Sequence, residues 1–150
     1  MDRPGFLVPL CARLALGAAF LSGIASRFGL WGKGVGYGNF ANFERYTAEV
    51  NAFMPASTIP FLAWSATAAE LGLGLLLVIG VWRRWVALGS AVLLALFGVA
   101  MTASMGIKEP LDYSVFSACA AALLLAEREQ RLSRAGGSGV IPSTIHGDGA

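Results

Sequence analysis

The stretch PFLAWSATAAELGLGLLLVIGVW, residues 60–82, constrains this chain more than any other. Its length matches a bilayer, since about 20 mostly apolar residues cross a hydrocarbon core about 30 Å thick. It also carries a carboxylate, Glu70, near its middle. An acid at that depth costs about 2.5 kcal/mol or more unless it is neutralised. The rest of the chain must therefore supply Glu70 with a partner, a proton or a polar cavity.

Composition agrees with burial in lipid. Of 150 residues, 56% are hydrophobic and 13% charged, and the mean hydropathy is +0.65. A soluble domain has about 25% charged residues. The net charge of +2 is small and the basic residues are scattered, so no nucleic-acid partner is expected. Cys11 and Cys119 lie far apart in apolar segments and form no CxxC, which gives no support to a dithiol redox site. The single histidine, His146, falls in a polar tail. A His-ligated haem and a multi-His metal site within the membrane are thereby excluded, and no metal is expected.

Four spans are predicted, at about 6–28, 60–82, 85–105 and 111–126. The first exceeds the apolar core of a secretory signal and lacks a convincing cleavage site, so it reads as a transmembrane helix. Small residues recur every four positions in it (Cys11, Ala15, Ala19, Gly23), a stripe along which another helix can approach closely. Arg13, Gly17, Phe20 and Arg27 share a neighbouring face. Ala66, Glu70 and Gly74 place the acid between small residues and so toward the bundle. Similar stripes run through Ala87, Ala91 and Ala95, and through Ser114, Ala118, Ala122 and Ala126. The fourth helix is expected to continue through Arg131 on the aqueous side.

The one long connection, 29–59, opens with GLWGKGVGYGN. Its alternating glycines read as a close-packed loop, because a phosphate-binding loop joins a strand to a helix and this one follows a membrane span. Then NFANFERYTAEVNAFMP, with Phe40, Phe43, Thr47, Val50 and Met54 at helical spacing, predicts a short amphipathic helix over 39–54 at the membrane surface. Asn39 is the expected cap and Pro55 the stop. The fold class is thus all-α: an integral membrane four-helix bundle with an interfacial helix between the first two spans. Residues 1–132 form one membrane domain, and 133–150, rich in Gly and Ser, a flexible polar tail.

Four spans put both termini on one side. Arg3, Arg83, Arg84, Arg128, Arg131 and Arg134 lie there, against Arg27, Lys33, Arg45 and Lys108 opposite. The positive-inside rule then places the termini in the cytoplasm of a cell whose inner (plasma) membrane holds the chain.

The candidate site is the pair of intramembrane charges, Arg13 and Glu70. If the two helices begin at the same inner boundary, their depths differ by roughly 8 Å, within reach of an arginine side chain. Such a pair fixes the register of two helices, or lines a polar pocket for a quinone head group, a small polar molecule or a proton; a protonated Glu70 is the third reading. Arg27 reads as an interface anchor, or as part of an outer polar opening with Lys108 and Asp112.

These residues carry a resemblance. RLALGAAFLSGIASRFG, GNFANFERYTAEVNAFMP, AELGLGLLLVIGVWRR and GIKEPLDYSVFSACAAALLLAE together resemble the DoxX-like family of small bacterial membrane proteins, over about residues 10–127. The resemblance implies a four-helix membrane protein, with Arg13 as a recurrent arginine, Glu70 as the span-two acid and Arg27 as the base closing span one. Ser26 stands where some relatives carry an acid. It also implies a membrane subunit of a redox-linked complex, with a quinone as the candidate cofactor and a peripheral oxidoreductase as the candidate partner. No self-contained catalytic motif is present, so a permease, proton-coupled or not, and a non-catalytic assembly factor stay open beside it.

Overall fold

The computed structural model describes residues 4–32 and 34–137. They form six α-helices: α1 (Pro4–Arg27), α2 (Phe40–Val50), α3 (Ile59–Ile79), α4 (Arg83–Met105), α5 (Lys108–Asp112) and α6 (Val115–Gly137), with a 3₁₀ turn at Ala56–Thr58. The fold is all-α, and α1, α3 and α4 are long and apolar enough to cross a membrane. The first half of α6 is apolar and the second half charged.

Local chemistry sets the ends of the helices. Asn39 caps α2, its side-chain oxygen accepting from the Asn42 amide at 2.8 Å. That helix ends at Val50 rather than at Met54, because Asn51 leaves the helical conformation and bonds back to the Thr47 carbonyl. α3 stops at Ile79, three residues short of the predicted 82, where Gly80 adopts a left-handed conformation at φ 84°. The left-handed φ is what favours glycine at Gly80, and a Cβ there would also press on the end of the Arg13 side chain at 2.8 Å. The segment predicted as one helix from 111 breaks at Tyr113–Ser114, with Ser114 at φ 56°, and α6 then runs on to Gly137. The tail expected from 133 therefore begins in helix; residues 138–150, His146 among them, lie outside the described residues.

The core joins α1 (Leu16, Phe20), α3 (Leu77), α4 (Val86, Ala87, Ala91, Leu94) and α6 (Ala122, Leu125, Ala126). The alanines of α4 and α6 bring those two helices close together, and Phe116 fills the space above Gly98. α1 approaches α3 through Gly17, where an added Cβ would sit 3.0 Å from the Gly74 carbonyl oxygen. The buried face of α1 is thus Arg13, Leu16, Gly17, Phe20 and Arg27, whereas Cys11, Ala15 and Ala19 of the predicted small-residue stripe are exposed. Two charges share a face with Gly17 and Phe20, and turning that face inward is what gives both a partner.

The bundle has two distinct ends. One carries the α3–α4 turn at 80–82, the start of α4 and the charged turns of α6. The other carries the α1–α2 loop, α2 and α5.

Candidate functional site

Glu70 sits on the buried face of α3 with Ala63, Thr67 and Gly74; it points inward as the expectation from Ala66 and Gly74 had it, although Ala66 itself is only half-buried. Its partner is Arg27, not Arg13. Arg27 Nη2 donates to Glu70 Oε1 at 2.5 Å, and Nη1 donates to Thr67 Oγ1 at 2.9 Å. Thr67 in turn donates to the Ala63 carbonyl at 2.7 Å, one turn back, which fixes its oxygen toward the guanidinium. The guanidinium also lies 3.8 Å from the centroid of the Phe43 ring on α2, a cation–π contact. Arg27 and Glu70 are each only 4% exposed.

The expected Arg13–Glu70 pair fails on register. Gly23 of α1 lies level with Glu70, for a Cβ there would stand 3.2 Å from Glu70 Oε2. Arg13 is ten residues further along, about 15 Å at the helical rise. It lies against Gly80 at the turn end and pairs instead with Glu129 of α6 at 4.0 Å. The two helices do not share an inner boundary: α1 extends from Arg13 back to Pro4, about 13 Å past the end of α3. That offset draws Arg27 down beside Glu70. The proposed outer opening also separates. Lys108 and Asp112 pair with each other on exposed α5, within one helical turn, and Arg27 is buried away from them.

Beside the ion pair lies a cavity of about 740 Å³ bounded by α1, α2, α3, α4 and the start of α6. Leu62, Leu93, Leu96, Phe97 and Met101 make its wall mostly apolar. Its polar groups gather at the loop end, where Arg27, Glu70, Thr47 and the tyrosines 37, 46 and 113 line it. Glu70 lines the cavity, and its Oε2, beside Gly23, has no hydrogen-bond partner among the described residues. Arg27 Nε is buried and also unpartnered among them.

The glycine-rich loop between α1 and α2 holds this end in place. The Ser26 hydroxyl accepts from the Tyr37 amide at 2.9 Å, and the Ser26 carbonyl accepts from the Gly38 amide at 3.1 Å. Gly36, at φ 62°, passes so near Ser26 that a Cβ would overlap its hydroxyl at 2.0 Å. Tyr37 is thereby seated over Phe43 and Tyr46, at ring-centroid separations of 5.1 and 5.4 Å. Burial raises the Tyr37 pKa above the ordinary phenol value, and Tyr46 adds to the rise while Arg27 opposes it. Burial likewise raises that of Tyr46. α2 turns Phe43, Thr47 and Val50 onto the bundle, so the amphipathic helix covers the cavity instead of resting its apolar face on lipid. In the sequence Phe43 shows only as an apolar residue of the amphipathic helix and Tyr37 only as one residue of the glycine-rich loop; their place at the site depends on the path of that loop.

Fold and site define a class: an α-helical membrane bundle that buries an arginine–glutamate pair beside a largely apolar cavity. The family model for DoxX matches residues 8–105, well over half of the sequence, and the chain belongs to the DoxX family. No curated protein and no solved structure matches it. The matched residues include Arg13, Arg27, Glu70 and all the cavity lining except Tyr113 and Val115.

Proposed function

We propose that the chain is the membrane subunit of a redox-linked complex and that its cavity holds a quinone. One observation carries this reading: an apolar space of about 740 Å³ ends at a desolvated Arg27–Glu70 pair with tyrosines at its mouth. Ligand cavities of about 300–1,000 Å³ with apolar walls and a few convergent polar groups suit an amphipathic ring. The wall of Leu62, Leu93 and Phe97 fits the ring and its tail, and Arg27, Tyr37 and the free oxygen of Glu70 are the groups that would meet its carbonyls. A quinone supplies electron transfer, which none of these side chains performs alone. This chain's own part is to bind, to exclude water and to hold a proton at Glu70 Oε2. A peripheral oxidoreductase would deliver or remove the electrons.

The same reading places four spans in the inner membrane, α6 completing the set beside α4, with both termini and the Arg83–Arg84 turn in the cytoplasm. A permease would need a path from the cavity to the turn end. Leu16, Phe20 and Leu77 pack there, Leu77 only 1% exposed, which favours a closed binding site.

Purification from native membranes in mild detergent, with extracted quinones and bound proteins identified by mass spectrometry, tests the proposal. Stoichiometric quinone that is lost in Glu70→Gln, together with an oxidoreductase partner, is the expected result. A folded protein carrying lipid alone, or active transport by the purified chain in liposomes, would overturn it.

A further inference from the structure

A second cavity, of about 750 Å³, lies at the turn end and has no part in the proposed function. Gly80, Trp82, Arg83, Arg84 and Trp85 form one wall, and Glu129 belongs to the other. Positive charge exceeds negative around it. Glu129 is shared by Arg13 at 4.0 Å and Arg83 at 3.7 Å, so one carboxylate serves two guanidiniums. Arg84 adds a third, held at 5.2 Å over the Trp85 ring. Arg13 Nε is buried without a hydrogen-bond partner among the described residues. α4 begins at Arg83 with no side-chain cap, and the residues of its first turn, Arg83, Arg84 and Trp85, line this cavity. Guanidiniums and free helix-start amides together form a ready anion site.

The flanks identify the kind of anion. Trp82 and Trp85 are 75% and 67% exposed, beside exposed Ile79 and Val81. Tryptophan takes this position at the level of lipid headgroups, with acyl chains alongside. We propose that this cavity binds the phosphate of an anionic phospholipid, held by Arg83, Arg84 and the first-turn amides of α4, with the acyl chains lying along Ile79 and Val81. Basic pockets at helix ends on the cytoplasmic side recognise such headgroups. The site is independent of the quinone cavity at the opposite end.

The test uses the full chain, stripped of lipid in detergent and offered phosphatidylglycerol, phosphatidylcholine or inorganic phosphate. Bound lipid is counted by native mass spectrometry, and thermal unfolding is followed in parallel. The wild type should retain one phosphatidylglycerol in preference to phosphatidylcholine by about tenfold or more, with a matching rise in melting temperature. Arg83→Gln with Arg84→Gln should abolish the preference. Arg84→Gln alone, which removes no ion pair seen among the described residues, should reduce it even where the double variant fails to fold. An undiminished preference in folded Arg84→Gln, or equal retention of both lipids by the wild type, would overturn the proposal. Full stabilisation by inorganic phosphate alone would overturn the lipid assignment and make free phosphate the ligand.

Discussion

At the scale of single residues, the Arg27–Glu70 pair holds the largest stake. Removing one member of a buried pair strands the other, at about 3–5 kcal/mol, whereas replacing both with apolar groups is often neutral. Arg27→Met and Glu70→Leu should therefore each lower the melting temperature of the detergent-solubilised protein, and the double variant should regain most of the loss. A double variant as unstable as the sum of the singles would show that the two side chains act separately. Tyr37 gives a second prediction. Its pKa is raised above 10.0 in the folded chain, chiefly by burial. In the unfolded chain the phenol ionises near its ordinary value, so above pH 10.0 the folded state binds the extra proton. Stability from this group is then complete below that pH and lost as the pH rises through the higher folded value. Ultraviolet titration should show two tyrosines, Tyr37 and Tyr46, ionising late, and one of those two late steps should be absent from Tyr37→Phe.

At the scale of elements, close approach between helices depends on a few glycines. Gly17 meets the backbone of α3 at 3.0 Å and Val78 at 2.8 Å from the place of an added Cβ. The backbone contact cannot yield as a side chain can, so Gly17→Ala should cost about 1–3 kcal/mol. Gly72, with nothing within 4 Å, is the control, and Gly72→Ala should not destabilise the protein. Much at this scale was legible from pattern alone: the apolar spans, the inward face of Glu70, the Asn39 cap and the alanine seams of α4 and α6. Spacing within a helix is a local property, and the sequence prints it directly. What stayed hidden was the offset between helices. The Arg13–Glu70 match assumes a common boundary, and the contacts of Gly17 with Gly74, Gly23 with Glu70 and Arg13 with Gly80 show α1 displaced by more than one turn. The cover formed by Tyr37 and α2 was hidden for a related reason, since it rests on Ser26 bonding across a loop whose path no periodicity describes.

At the scale of the whole molecule, the two ends differ in chemistry, and the proposed orientation in the membrane rests on that difference. The turn end gathers Arg13, Arg83, Arg84, Arg128, Arg131 and Arg134. The loop end has Arg27 consumed by Glu70 and Lys108 paired with Asp112. Neutralisation acts at both ends, since Arg13 and Arg83 share Glu129 and Arg131 pairs with Glu127, but the six arginines of the turn end outnumber those two acids, whereas at the loop end Glu44, Glu49, Glu70, Glu109 and Asp112 outnumber Arg27, Arg45 and Lys108. Short loops obey the positive-inside rule most closely, and the α3–α4 turn is the shortest connection between the long helices α1, α3, α4 and α6. Reporter cysteines test the result in a background where Cys11 and Cys119 are serine. Lys108 is exposed at one end and Ser133 at the other. With Lys108→Cys, a membrane-impermeant maleimide should label intact cells. With Ser133→Cys, labelling should wait until the inner membrane is opened. Labelling of both positions in intact cells would mean that α6 does not cross, leaving three spans and termini on opposite sides. The reverse pattern would invert the bundle and put the tyrosine-lined cavity on the cytoplasmic face.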